Sequence, residues 1–201
     1  MRFHVMMLLK KRRTMRKFVG KPVDEKDIRT VLEAGTWAPS AHNAQPWRFA
    51  VVRTDEKKRQ LADEMGVKWR RDLMGDGVPA QRIDDMLRES KDRIIDAPAI
   101  IILSITMSDM DSYPDERRQE LERVMAVQSA AACAQNVLLM AHAIGLGGAW
   151  LCAPLFASEK VKKALGLNPD WSPVAMIALG VPRERPRPPP RKPVDEVTVW
   201  T

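Results

Sequence analysis

Between Val124 and Ser158 the chain carries no Asp, Glu, Lys or Arg, although 29% of all its residues are charged. A stretch of that length without charge either crosses a membrane or is enclosed by protein. Gln128, Ser129, Gln135, Asn136 and His142 interrupt it, and Gly145, Gly147 and Gly148 would break a spanning helix. The expectation is therefore a buried helix that starts in the charged "DSYPDERRQ", runs to Ile144 and sits inside a soluble protein.

The flanking patterns describe what encloses it. Asp24 is placed to cap a helix in which Ile28, Val31, Leu32 and Gly35 recur at helical spacing. "RFAVV" (Arg48 to Val52) reads as a short buried strand, and Asp55 restarts a helix through Leu61 and Met65. Residues 66–96 read as exposed helices broken around "GDGVP". The isoleucine-rich run Ala97 to Thr106 and the run Pro173 to Gly180 have the continuous apolar pattern of strands covered on both faces. Ser158 is expected to cap a short helix that Gly166 stops. "VPRERPRPPPRKP" can be neither helix nor central strand and is expected to be an extended arm. The alternation of Val197, Thr198 and Val199 behind it suits a strand, paired far away or on another subunit. With 201 residues, 45% of them hydrophobic, the chain is one domain of mixed helix and sheet, residues 1–11 forming a lead-in and 182–201 an arm.

A net charge of +7 and a pI near 9.6 point to an anionic partner, or to a solvated basic surface. Cys133 and Cys152 lie in apolar surroundings and read as buried thiols of a reducing compartment such as the cytoplasm. The three histidines are scattered, and no spacing of His, Cys, Asp or Glu resembles a metal site. The apolar part of the N-terminal "MRFHVMMLLKK" is too short for a secretory signal.

Three stretches could carry chemistry. "RRTMRKF" sets Arg12, Arg13, Thr14 and Arg16 within five residues, guanidinium forks and a hydroxyl that match phosphate oxygens. On composition alone it could equally be a solvated surface or a nucleic-acid patch. "APSAHNAQPW" is uncharged and stiffened by Pro39 and Pro46, which leaves Ser40, Asn43 and Gln45 as hydrogen-bonding groups. Such neutral donors and acceptors suit the edge of a heteroaromatic ring beside Trp37 or Trp47; the plainer alternative is a loop that ends a helix and sends Trp47 into the core. "GLGGAWLCAP" has glycines that allow close backbone approach to a ligand, yet it lacks the Gly-Lys-Ser/Thr ending of a phosphate loop.

Taken in order, these stretches, the alanine-rich helix ending in Gly-Leu-Gly and the basic proline-rich tail resemble the flavin-dependent nitroreductase family from about Arg12 to Trp200. The resemblance implies an α+β fold, a central, mostly antiparallel sheet flanked by helices, with a C-terminal arm and strand exchanged with a dimer partner. It implies FMN held between two subunits of a homodimer. Arg12 and Arg16 would grip its phosphate, with Arg13 and Thr14 near the phosphate and the ring edge. Pro39, Ser40, Ala41 and Asn43 would come from the other subunit, with Gln45 anchoring that loop or reaching the ligand. Trp150, Leu151, Cys152 and Ala153 would run past the ring, and Arg191 would add a second phosphate contact. No catalytic side chain is required, because the flavin carries the chemistry. NADH or NADPH would reduce it in a ping-pong cycle, and a nitroaromatic, quinone or enone would take the electrons.

Two features depart from many members of that family. Cys152 and Ala153 stand where an acidic residue and a glycine are common, and the tail resembles the branch related to a glutamate ligase of deazaflavin cofactor biosynthesis. A reductase or binding domain for a deazaflavin or its precursor is therefore the alternative. A nucleic-acid-binding module fits less well, since no aromatic platform accompanies the basic stretches.

Overall fold

A computed structural model describes residues 2–201, apart from the side chain of Arg2; Met1, the first residue of the expected lead-in, lies outside the described residues. A four-stranded sheet forms the middle layer. Its strands are β1 (Trp47–Val52), β2 (Ala99–Ile105), β3 (Gly147–Leu151) and β4 (Ser172–Gly180), in the order β1-β2-β4-β3 with every pair antiparallel. All seven residues of β2 are buried, because β2 lies between two strands and under helices on both faces.

The alternation of side chains along β2 divides the interior in two. Ala99, Ile101, Leu103 and Ile105 face α2 (Glu25–Thr36) and α5 (Glu116–Ala143). Ile100 and Ile102 face α3 (Asp55–Gly75), α4 (Ala80–Ile95) and α7 (Ser158–Leu165), where Leu61, Met65, Ile94 and Val161 close the second core. Helix α5 takes up the uncharged stretch from Val124 to Ala143, after a charged first part. It is long and apolar enough to cross a membrane, but Ala126, Ala130, Cys133, Ala134, Val137, Leu138 and Ala141 are spent on the sheet and on α2. Gly35 permits that close approach, since a Cβ there would lie 2.8 Å from Val137 Cγ2 and 3.0 Å from Cys133 Sγ.

Helix starts follow local chemistry. The Thr54 side chain accepts from the Lys57 N–H at 3.3 Å, and Asp115 accepts from the Arg118 N–H at 3.0 Å. Asp24 is the N-cap of α2 by backbone geometry, without a side-chain bond. Gly166, at φ 64°, ends α7 as expected. The cap of α7 is Ala157 rather than Ser158, because a short α6 (Ala153–Phe156) delivers the chain one residue earlier.

Three further differences concern the ends and β3. Residues Arg2–Lys11 are helical (α1). The "GGAWL" segment is a strand, with two glycines hiding the usual β-branched signal. Among the described residues Val197, Thr198 and Val199 pair with no strand, and Val194–Glu196 form a short 3₁₀ turn. The arm is extended and exposed, and Trp200 at its tip is 83% exposed.

Candidate functional site

The arginine-rich segment owes its position to β3, whose outer edge is free. Thr14 bridges Gly148 in the parallel sense, and the Met15 N–H donates to the Gly148 carbonyl at 3.0 Å. Further along, the Val19 N–H donates to Val181 at 2.8 Å, and the Arg183 N–H donates to Lys17 at 3.0 Å. Met15 is the buried anchor of the segment, while Arg16 beside it is exposed. A Cβ on Gly147 would lie 2.5 Å from Met15 Cγ, and one on Gly148 would lie 2.7 Å from Leu138 Cδ2. These glycines make room for the protein's own side chains, Met15 and Leu138. Gly145, at φ 87°, turns the chain out of α5.

Both chain ends bring positive charge to this edge. The Arg12 guanidinium is pushed below its ordinary pKa first by burial and then by the like charges of Arg191 and Arg13. His142, near the end of α5, is also held below its ordinary value, first by burial and then by Arg185, Arg12, Arg13 and Lys11. Arg13 donates to the Arg12 carbonyl and Arg191 to the Pro190 carbonyl, so neither is matched to a carboxylate among the described residues. Elsewhere Arg29, Arg48, Arg70 and Arg93 pair with acidic side chains. Arg12 and Arg13 are half-buried and Arg191 is exposed, and like charges so placed repel one another and favour a neutralising anion.

The uncharged loop lies elsewhere. Trp47 dips into the core at 5% exposure, and Trp37 is 81% exposed. The Gln45 N–H donates to Ser40 Oγ at 3.1 Å and closes the loop on itself. The Ala41 N–H donates to Ser129 Oγ at 3.2 Å, and Ser129 in turn donates to the Met125 carbonyl at 2.8 Å, which clips the loop to α5. His42, Asn43 and Gln45 all take left-handed backbone angles, φ 54°, 54° and 50°. Such angles in three non-glycine residues persist only where the surroundings hold them. Pro39, Asn43 and Gln45 are exposed, while Ser40 and Ala41 are half-buried.

The third piece follows β3. Leu151, Cys152 and Ala153 turn into α6 and line a cavity of about 460 Å³ with Lys68 and Trp69 of α3 and Phe156 of α6. Cys152 is exposed there, which corrects the expectation of two buried thiols; the strand ends at Leu151, and the turn carries Cys152 out of the core. Cys133 is buried as expected, and burial pushes its thiol up to about 12. The indole Nε1 of Trp150 is buried with no hydrogen-bond partner. Sequence reasoning missed Lys68 and Trp69, which sit in a helix read as exposed.

Within one chain these pieces do not converge. The loop is clipped at Ser129 and the arginine cluster surrounds His142; at 1.5 Å per residue the intervening α5 is about 20 Å long. The loop enters β1 and the cavity segment leaves β3, at opposite edges of a four-stranded sheet roughly 14 Å across. One structural group did not follow from spacing at all: His42, Asp111 and Glu122, far apart in sequence, come together beside the loop.

The family model described as the Nitroreductase family matches residues 9–181. The chain belongs to the nitroreductase family. A Thermus thermophilus relative named "NADH dehydrogenase" is 29% identical, with 94% of this chain and 92% of the relative covered. An Archaeoglobus fulgidus relative named "Putative NADH dehydrogenase/NAD(P)H nitroreductase" is 27% identical over 86% of this chain and 82% of its own length. Among solved structures, a BluB-like flavoprotein from Clostridium difficile superposes with a TM-score of 0.81 at 25% identity, with 98% of both chains covered. A putative nitroreductase from Desulfovibrio desulfuricans, solved in complex with FMN, gives a TM-score of 0.74 at 27% identity, covering 98% of this chain and 96% of that one. The sheet flanked by helices is thus the nitroreductase fold, in agreement with the expectation from the motifs.

Proposed function

We propose that this nitroreductase-family chain is an FMN-dependent NAD(P)H oxidoreductase working as a homodimer in a reducing compartment such as the cytoplasm. The carrying observation is the meeting of Arg12, Arg13 and Arg191, from the two ends of the chain, without a neutralising carboxylate. A phosphomonoester, with close to two negative charges and three acceptor oxygens, meets the need of that cluster. Arg16 and Thr14 complete the phosphate end. Trp150, Leu151, Cys152 and Ala153 flank the ring, with Cys152 exposed at the turn that follows β3. Pro39, Ser40, Ala41, Asn43 and Gln45 serve the ring of the second copy, which fits their separation from the arginines in their own chain.

When bound, the flavin would supply hydride transfer between NAD(P)H and an acceptor such as a nitroaromatic, quinone or enone, in a ping-pong cycle. The protein's share is to hold the phosphate, orient the ring and keep water from the cavity beside Cys152. The test is the visible spectrum of the purified protein supplemented with FMN. Flavin bands that bleach on adding NADH or NADPH and return with an acceptor are expected. A protein that takes up no FMN and consumes no NAD(P)H refutes the proposal.

A further inference from the structure

We propose that His42, Asp111 and Glu122 form a binding site for one divalent transition-metal cation of the zinc type. Glu122 lies on α5 and is only 3% exposed, yet its Oε2 has no hydrogen-bond partner among the described residues. Among the described residues no Lys or Arg pairs with it; the facing group is His42, whose Nε2 lies 3.5 Å from Glu122 Oε1. The same Nε2 lies 3.8 Å from Asp111 Oδ2. A buried carboxylate with a bare oxygen calls for a cation or a donor. One imidazole cannot neutralise two carboxylates, whereas a divalent ion can.

The geometry suits such an ion. The three donor atoms all lie within 4.8 Å of one another. Bonds of about 2.1 Å at tetrahedral angles set donors roughly 3.4 Å apart. The two histidine distances are near that value, and the exposed Asp111 side chain is free to close the remainder. A nitrogen ligand among the oxygens favours zinc over magnesium or calcium. His42 and Asp111 are both exposed, so the ion has a path in and positions left for water. His42 stands between Ala41 and Asn43 of the loop proposed to meet the flavin, but none of the three metal ligands is itself assigned to the ring or the phosphate, and zinc binding is read without flavin.

The experiment uses untagged full-length protein, stripped with chelator and titrated calorimetrically with zinc chloride, with cobalt(II) absorption as a second readout. One ion per chain is expected, uncompeted by millimolar magnesium. Asp111→Asn, an exposed change that spares the fold, should weaken binding about tenfold or more. Glu122→Gln should do the same. His42→Asn, which tolerates the left-handed backbone, should remove the tetrahedral cobalt bands. His4→Ala should bind like the parent. Absence of saturable binding, or binding indifferent to Asp111→Asn and His42→Asn, overturns the proposal.

Discussion

Replacing Arg12 with alanine separates the phosphate half of the flavin site from the ring half. Arg12 is part-buried, carries no carboxylate partner among the described residues and is repelled by Arg191 and Arg13. A hydrogen bond from such a charged group contributes roughly 1.5–3 kcal/mol. At about 1.4 kcal/mol per decade, that corresponds to FMN affinity some 10- to 150-fold weaker. Removing one guanidinium also relieves the repulsion among the other two, so the lower part of that range is expected. Riboflavin has the same ring without the phosphate, and its affinity should change by no more than about threefold. Flavin fluorescence quenching of parent and variant, titrated with both ligands at two ionic strengths, gives the affinities needed. The FMN salt dependence should also flatten in the variant, since one fewer charge is screened. If riboflavin and FMN weaken equally, Arg12 acts on the fold rather than on phosphate; if neither weakens, the cluster is not the anion site.

Gly147→Ala should cost about 1–3 kcal/mol of stability, read by thermal or urea unfolding, because its Cβ would collide with Met15; an unchanged melting temperature contradicts that packing. His142 should titrate below the ordinary imidazole range in the flavin-free protein, so its contribution to stability is lost as pH falls from the ordinary value through the lowered one. Saturating FMN should raise that pKa by neutralising the surrounding arginines, a shift that NMR titration would detect and whose absence would place the anion elsewhere. A thiol reagent should modify Cys152 quickly in the native protein and Cys133 only after unfolding, with FMN slowing the reaction at Cys152. Equal reactivity of the two thiols would contradict their placement.

The layers of this fold are legible in the residues because burial writes itself into local patterns. The uncharged Val124–Ser158 stretch announces α5, and the isoleucine run announces β2, since a strand covered on both faces needs no polar side. β3 was hidden because its positions Gly147 and Gly148 are chosen for contact with Met15 and Leu138, not for strand propensity. The arginines and the neutral loop are readable as motifs, and the family resemblance puts them on different subunits; the distance between them within one chain depends on strand order and on the length of α5. Lys68, Trp69 and the His42–Asp111–Glu122 group arise from packing between distant elements, which no spacing along the chain records.

The claim at the centre of this account is that one flavin is gripped by arginines of one chain and by the neutral loop of another. Co-expressing two differently tagged chains tests it, one carrying Arg12→Ala and the other Asn43→Arg, which puts charge and bulk on an exposed loop position. Each variant homodimer should bind FMN about tenfold or more weakly than the parent at both of its sites. The mixed dimer has one site with both defects and one with neither, so it should hold one FMN per two chains and recover NAD(P)H-dependent bleaching. A mixed dimer that binds as weakly at both sites as the variant homodimers would mean that each chain builds its flavin site alone.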